Sequence, residues 1–297
     1  MKCLNKTFFL GLMACSAFLS SAFSQTTEMN PDMGNAGRSI RVDALFEPST
    51  DLDQGGSFEF YQARLVAPLY GKKLGENWIL AARMKYEYSV LEMSEDVLSQ
   101  DNLHRLEMGP MLIYKAKDSP WSGILAANVG LATDWSEVSE DDIVLSVLSS
   151  VGYRFTDKFT LLVGAYYSQD FGDARLFPGI GFLWKISPEW TVNLTPPRLR
   201  ISYAPGDLWR FVAEAYPDGG SWSVEASNGE QASLQRKTLR TGVRVERRIT
   251  ETGFAYLGGG WAMGRELRLE AQSSGKLLYE SDAANGAYFS AGLNFQF

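Results

Sequence analysis

The chain has 297 residues, of which 45% are hydrophobic, 13% aromatic and 21% charged, and its formal net charge is −7. This composition excludes a disordered or collagen-like chain. Only the N-terminus carries a long apolar run, so the sequence also excludes a bundle of membrane-spanning helices. The mean hydropathy of −0.15, taken alone, suggests a soluble protein.

The N-terminus has the features of a secretory signal. Lys2 and Lys6 form a basic start, and residues 8–14 follow as an apolar core. Residues 22–24 place small side chains at the two positions that a signal peptidase reads. We therefore predict export, with removal of residues 1–24.

Cysteine usage agrees with export. Cys3 and Cys15 are the two cysteines of the chain, and both lie in the signal segment. The exported chain therefore has neither a disulfide framework nor a thiolate. A lipoprotein signal ending at Cys15 is the alternative, and Met13 fits its motif poorly.

Beyond a polar segment at residues 25–37, which we predict to be a flexible lead-in, the hydrophobic pattern has a period of two. Across residues 78–90 every second residue is apolar or aromatic, and the other face is mostly polar. Such alternation predicts a strand, and its length is typical of a membrane crossing, which needs about nine to eleven residues. We find about fourteen such segments up to the C-terminus.

The connections between these segments alternate in length. Tight turns lie at residues 156–158, 187–189, 204–207 and 250–252, and longer polar loops are predicted at residues 92–102, 134–142, 217–235 and 265–284. Aromatic side chains crowd the strand ends beside the tight turns, as they do where a protein meets the membrane interface. Short turns at one rim and long loops at the other are typical of an outer-membrane barrel.

The C-terminus continues the pattern to its last residue. Phe289, Leu293, Phe295 and Phe297 alternate along one face. This ending resembles the signal by which outer-membrane barrels are recognised for insertion. It implies periplasmic chaperones and the barrel-assembly machinery as partners, together with the lipid bilayer and lipopolysaccharide.

These features predict an all-β fold. Residues 38–297 form a single transmembrane antiparallel up-and-down β-barrel of about 14 strands, with 12 as the alternative. Short turns face the periplasm, longer loops face the outside, and the predicted location is the cell outer membrane.

One stretch of the sequence resembles a known family. It comprises residues 178–184 (Pro-Gly-Ile-Gly-Phe-Leu-Trp), residues 190–197 (Trp-Thr-Val-Asn-Leu-Thr-Pro-Pro) and residues 198–203 (Arg-Leu-Arg-Ile-Ser-Tyr). This Gly-rich strand, Pro-Trp turn and short hairpin are similar to a family of predicted outer-membrane β-barrel proteins of unknown function. The resemblance implies the fold and brings no active site with it.

Charge is sorted between the lumen face of the predicted wall, which is mainly basic, and the long loops, which are acidic. Bases on the lumen face are Arg41, Arg64, Arg83, Lys85, Arg105, Lys115, Arg154, Lys185, Arg198, Arg200, Arg210, Arg240, Arg244 and Arg248. Acids on that face are Asp43, Glu87, Glu107, Glu214 and Glu246, and other acids collect in the predicted loops at residues 92–102 and 134–142. The loop acids are interpreted mainly as solvated, with divalent-ion bridging to lipopolysaccharide as a minor alternative.

Two interpretations of the basic lumen stay open. Arg and Glu ladders brace small barrels without any ligand. Alternatively, the excess of guanidinium groups attracts small anionic solutes, since Arg pairs with carboxylate or phosphate at two points. For that narrow channel or binding barrel the candidate bases are Arg83, Arg198, Arg200, Arg210 and Arg244.

Other functions are less well supported by the sequence. A closed barrel with a structural, adhesive or lipid-related role is the main alternative to a channel. A lipid-modifying hydrolase would need a His beside a Ser, and the surroundings of His104, the single His, do not match that pattern. We predict no catalytic residue, metal site, cofactor or nucleic-acid partner, and we interpret residues 258–260, three glycines, as a packing feature rather than a phosphate cradle.

Overall fold

The computed structural model describes residues 39–169 and 175–297. Within them the chain forms fifteen strands and one short 3-10 turn, Glu140–Asp142. The strands are β1 (Ser39–Asp51), β2 (Ser57–Leu74), β3 (Trp78–Met93), β4 (Asn102–Lys115), β5 (Trp121–Thr133), β6 (Ile143–Thr156), β7 (Phe159–Ser168), β8 (Arg175–Lys185), β9 (Trp190–Thr195), β10 (Arg198–Tyr203), β11 (Trp209–Glu225), β12 (Gln231–Arg248), β13 (Gly253–Ala271), β14 (Leu277–Ala283) and β15 (Gly286–Gln296). None of the helical segments in these ranges is long and apolar enough to span a membrane.

The strands close into a ring of antiparallel neighbours. Each strand from β1 to β13 pairs with the next, β15 pairs with β13, and β15 pairs back to β1. β14 pairs with the end of β13 near the long loops, and β15 pairs with the rest of β13 toward the short turns. The two strands therefore follow each other along β13 and together form the last barrel strand. Over the described residues this confirms the antiparallel barrel with 14 strand positions. The predicted signal and lead-in lie outside the described residues.

The outer wall carries the apolar face of the alternating pattern. Val163, Ile180 and Leu257 point outward, and each side chain is more than half exposed. Exposed Trp residues stand beside the short turns, among them Trp78, Trp121, Trp190 and Trp209. Such a belt is unfavourable in water and favourable in a bilayer, where rings lie at the interface.

The proposed insertion signal lies on the seam that closes the barrel. Phe289 pairs with Phe46, and Phe295 pairs with Ile40, across the β15–β1 ladder. Phe289 and the terminal Phe297 are about half exposed on the outer surface.

The prediction of the two longest loops is wrong. Most of residues 217–235 and 265–284 continues β11, β12 and β13 or forms β14, so the connecting loop between β11 and β12 spans only residues 226–230. The polar residues there alternate with apolar ones that point inward, such as Leu234 and Leu267. The strands therefore continue above the apolar belt, with the polar and apolar faces exchanged.

The exchange creates an apolar interior at the end of the barrel that carries the long loops. We name it the outer core: Leu45, Leu52, Phe58, Phe60, Leu91, Leu98, Leu103, Ala132, Val144, Trp222, Val224, Ala226, Ala232, Leu234, Leu267, Leu269, Ala283 and Tyr288. Below it, toward the short turns, the inward face is charged. The barrel thus has two tiers, one packed like a soluble protein and one with a polar lumen.

Only some of the strands enclose the outer core, because β11 and β5 meet directly and exclude the strands between them. β11 leans across the barrel and meets β5 through one parallel pair, Ser223 with Thr133. The Asp134 N–H donates to the Ser223 carbonyl (3.1 Å), and the Glu225 N–H donates to Asp134 Oδ2 (2.8 Å). Asp134, predicted to be a solvated loop acid, is buried in this contact. We name the contact the cross-barrel seam.

Beneath the seam the strands β6 to β10 form a lower wall that has a gap. β9 and β10 have six residues each and turn at Pro196 and Pro197. Among the described residues, β9 pairs with β8 only from Phe182 toward the short turns, and β10 pairs with β11 only up to Ala215. From those points toward the long loops, β8 pairs only with β7, and β11 pairs only with β12 until it reaches the cross-barrel seam. We name this opening the wall gap.

Two prolines lie at the border of the wall gap. Pro178 lies in the part of β8 that borders the wall gap, and Pro196 lies in the turn below it. A proline lacks a backbone donor and is therefore tolerated at a sheet edge. Pro110 stays within β4, opposite Ala82 of β3.

The close approach of β12 and β13 yields a test of the barrel. A Cβ on Gly260 would overlap the carbonyl oxygen of Thr241, whereas a Cβ on Gly123 would lie 3.6 Å from its nearest neighbour. We expect Gly260→Ala to lower the free energy of unfolding by about 1–3 kcal/mol and Gly123→Ala to leave it unchanged. Urea titration in detergent, with gel mobility before and after boiling as the readout, checks this. Equal midpoints for the two variants would contradict the β12–β13 register.

Candidate functional site

The lumen of the lower tier holds three groups of charged side chains. Because alternate residues of a strand point to the same face, bases and acids on neighbouring strands meet at the same height. The described structure brings three of the five candidate bases together in one group and leaves two apart.

The first group surrounds Glu246 of β12. Arg200 Nη2 and Arg210 Nη1 each lie 3.1 Å from a Glu246 carboxylate oxygen, and Arg244 Nε lies 2.7 Å from Oε1. Arg244 Nη1 also reaches Glu214 at 3.4 Å. The Arg210 side chain is 28% exposed, and the others are buried. Among the described residues, three guanidinium groups thus share two carboxylates.

The second group lies directly below the outer core. Glu47, with no exposed surface, accepts from Arg236 Nη2 (2.7 Å), Arg240 Nη2 (2.5 Å) and Arg265 Nη2 (2.6 Å). Asp218 pairs with Arg236 at 3.4 Å and with Arg240. This group also carries more bases than acids.

Sequence reasoning found only Arg240 of this second group. Asp218 and Arg265 lie in segments predicted to be loops, and Arg236 directly follows the predicted loop at residues 217–235. Glu47 shares the alternation of Arg41 and Asp43 along β1, and that parity was the signal that could have identified it.

The third group bridges β2, β3 and β4 as a ladder. Arg64 Nε lies 2.6 Å from Glu87, Lys85 Nζ lies 3.1 Å from Glu107, and Arg105 Nη1 lies 3.2 Å from Glu107. Alternating charges across adjacent strands support the wall by themselves. This arrangement matches the bracing interpretation of the lumen charges.

The remaining candidate bases stand apart from these groups. Among the described residues neither Arg83 nor Arg198 forms an ion pair. The Arg198 guanidinium lies over the ring of Tyr216, 4.2 Å from its centroid. Arg83 faces the lumen from β3, opposite Gly109 of β4.

The surroundings of His104 are aromatic. Its Nδ1 lies 2.9 Å from the Tyr86 hydroxyl oxygen. The centroid of its ring lies 5.2 Å from the ring centroid of Tyr88 and 5.7 Å from that of Trp135. No serine hydroxyl is bonded to it in the described part of the chain. Over residues 39–169 and 175–297 no cluster of His, Cys, Asp and Glu could hold a metal ion.

The Glu47 group predicts a large loss of stability on neutralisation. Glu47→Gln leaves three buried guanidinium groups without their shared carboxylate, and breaking a buried pair costs about 3–5 kcal/mol. Glu280→Gln is the control, since Glu280 is exposed and meets Arg268 at 3.5 Å, and such surface pairs contribute about 0–1 kcal/mol. Urea unfolding of both variants in the same detergent measures the difference. Similar losses in the two variants would contradict a structural role for the Glu47 group.

Comparison with solved structures finds other barrels. The COG4313 outer membrane channel from Pseudomonas putida F1 is 13% identical, with a TM-score of 0.48 over 91% of this chain and 100% of that chain. The KdgM porin in complex with disordered oligogalacturonate is 9% identical, with a TM-score of 0.36 over 86% and 99% of the two chains. The TodX monoaromatic hydrocarbon channel (a deltaS2 mutant) is 9% identical, with a TM-score of 0.38 over 88% and 90%.

Comparison by sequence identifies a family. No curated protein matches the chain. A family model described as a domain of unknown function (DUF6268) matches residues 45–296, which confirms the expected resemblance to a barrel family of unknown function. With nearly all of its barrel matched, the chain belongs to the DUF6268 family.

Proposed function

We propose that this protein is an outer-membrane barrel that binds small anionic solutes in its lumen and passes them through a narrow, gated route. The observation that carries the proposal is the excess of guanidinium groups over carboxylates around Glu246, in a lumen shielded from bulk water. The predicted signal at residues 1–24 and the insertion signal ending at Phe297 support the outer membrane as its location.

The Glu246 group has the chemistry to hold an anion. Arg200, Arg210 and Arg244 each have several N–H donors, and in the described part of the chain they outnumber the carboxylates of Glu246 and Glu214. Guanidinium recognises carboxylate or phosphate through two parallel hydrogen bonds. Arg210 is the partly exposed member and therefore is the first to meet a solute that enters from the end of the short turns. Arg83 and Arg198 add positive charge elsewhere along the lumen.

The outer core sets the gate of this proposed route. It fills the barrel end with apolar side chains, and apolar constrictions in channels stop ion flow by dewetting. Trp222 is its largest side chain and is buried. Passage along the barrel axis therefore requires the outer core or the cross-barrel seam to move, and the resting conductance is expected to be low.

Planar-bilayer recording tests both parts of the proposal. We expect Trp222→Ala to raise the single-channel conductance several-fold, because a cavity replaces the largest side chain of the gate. In a salt gradient, Arg210→Glu in the Trp222→Ala background should reverse the preference for anions, because one charge at the lumen mouth changes sign. Arg268→Glu is the matched control, since Arg268 pairs with Glu270 on the outer surface.

Two results would contradict the channel. One is the absence of any conductance step in both the native protein and Trp222→Ala, with folding verified by gel mobility. That result would favour the closed barrel with a structural, adhesive or lipid-related role. The other is an unchanged anion preference in Arg210→Glu, which would remove Arg210 from the proposed site.

The orientation of the barrel is tested by labelling intact cells. The signal segment holds both natural cysteines, so a single introduced Cys is the only thiol of the exported chain. We expect Asp96→Cys, between β3 and β4, to react with an impermeant maleimide. Asp157→Cys, in the tight turn between β6 and β7, should react only after the outer membrane is opened. The opposite result would invert the barrel and place the outer core toward the periplasm.

A further inference from the structure

The wall gap opens onto a cavity that the charged lumen groups do not use. The cavity has a volume of about 380 Å³, within the range of pockets that enclose small ligands, about 300–1,000 Å³. It lies between the inner face of β6, β7 and β8 and the opposite face of β11 and β12 around Pro217 and Leu239, with Pro196 and Pro197 as its floor.

The leaning of β11 produces this cavity. Pro217 and Leu239 pair across β11 and β12 on the face opposite to Asp218 and Arg240, which point into the charged interior. Because β11 crosses to β5 at the cross-barrel seam, the face of Pro217 and Leu239 turns toward the inner face of the lower wall. An interior space therefore forms between two layers of the same barrel.

The lining of the cavity is mostly apolar. Leu148, Leu162 and Phe177 contribute side chains from the lower wall, and Gly164 and Gly181 widen the space by having none. Ser150, Thr195 and Lys237 supply a small number of polar groups. Lining of this kind is typical of a site for an apolar molecule with one polar end.

The wall gap joins this cavity to the apolar outer surface. Ile180 of β8 points outward beside the gap with more than half of its side chain exposed, and Leu239 of β12 is also exposed. Open sheet edges are not left facing lipid and are tolerated where they line a cavity. Because exposed apolar residues border the gap, it lies at the height of the apolar belt, and its open edges line the cavity.

A base without an acidic partner lies just below the wall gap, at the edge of the charged interior. Arg198 follows Pro197 in the chain, and its guanidinium lies over Tyr216, the residue before Pro217. Among the described residues no carboxylate pairs with it. Tyr216 pairs with Arg240 and so faces the charged interior, and the free edge of β11 above Ala215 separates this base from Pro217 in the cavity wall.

We propose that the wall gap admits a single-chain anionic amphiphile of the fatty-acid type, with its alkyl chain in the cavity and its carboxylate reaching past the free edge of β11 to Arg198. The inference rests on the proposed function only for the placement of the barrel in a membrane, and not on conduction. A two-chain phospholipid is too large for this cavity as a whole. The molecule enters or leaves sideways, between β8 and β11, because the outer core seals the axial exit.

Photolabelling in proteoliposomes tests the occupant. The full protein is irradiated with a palmitate analogue that carries a mid-chain diazirine, and labelled residues are located by mass spectrometry. We expect labels on the cavity residues Leu148 and Leu162 as well as on Val163, which faces lipid from the same strand. Ser150→Trp should remove the label from Leu162 and leave that on Val163, whereas Ser202→Trp, on the lumen face of β10 near the short turns, should change neither.

Two further experiments test which residue binds the head group and whether the alkyl chain comes from a fatty acid or from a phospholipid. Arg198→Met should weaken competition by unlabelled palmitate about tenfold, the loss expected for one charge-assisted contact, without changing competition by hexadecanol. A phosphatidylcholine with the same diazirine in one chain should label Val163 and not Leu162. Equal labelling of Leu162 by that lipid would overturn the choice of a single-chain occupant.

The outcomes separate this site from the conducting lumen. If Val163 is labelled and Leu148 and Leu162 are not, the cavity site is wrong, whatever the bilayer recordings show. If Ser150→Trp fails to fold, the contrast between Leu162 and Val163 in the native protein decides the question. Labelling of Leu162 that persists in folded Ser150→Trp would also overturn the proposal. Loss of conductance with labelling intact would contradict only the channel.

Discussion

A chain that crosses a bilayer must satisfy its backbone hydrogen bonds internally, because hydrocarbon offers no partner. The closed ring from β1 to β15 meets this constraint. The wall gap is the place where the ring is interrupted at half height. There the turn at Pro196 and Pro197 ends the short hairpin, and β8 and β11 continue without it. The prolines at these edges have no N–H group that needs a partner, and the cavity behind them is lined by the remaining unpaired backbone. Both features allow an opening in a wall that is otherwise fully hydrogen-bonded.

The same constraint divides the interior into two tiers. Where the outer face meets lipid, the polar residues of each strand must point inward, and they meet as ion pairs around Glu246 and Glu47. Where the strands rise above the apolar belt, water surrounds them, and the apolar residues point inward as the outer core. Glu47 lies at the boundary, where three guanidinium groups converge on one carboxylate. It ties β1 to β12 and β13 at the level where the polarity changes.

Much of this structure could be predicted from the sequence. Alternation over residues 78–90 and the aromatic side chains beside the tight turns identify the strands, their length and the face that meets lipid. The upper parts of β11, β12 and β13 could not be predicted in this way, because a strand that reverses its polarity looks like a polar loop. Asp218 and Arg265 were missed for that reason, whereas Glu47 follows the alternation of Arg41 and Asp43 along β1. The cavity depends on the unequal lengths of β8, β9, β10 and β11 and on the leaning of β11, which no local pattern encodes.

The cross-barrel seam has a consequence for the order of assembly. It skips the five strands β6 to β10, so β5 and β11 run in the same direction and form a single residue pair rather than a ladder. Hairpins between sequential strands close short loops, whereas this contact joins residues 133 and 223, far apart in the chain. Contacts of such separation carry the larger loop-closure entropy and form late. The lower wall therefore forms before the seam, and the β1–β15 closure, which pairs Ser39 with Gln296 across a still longer separation, forms after it.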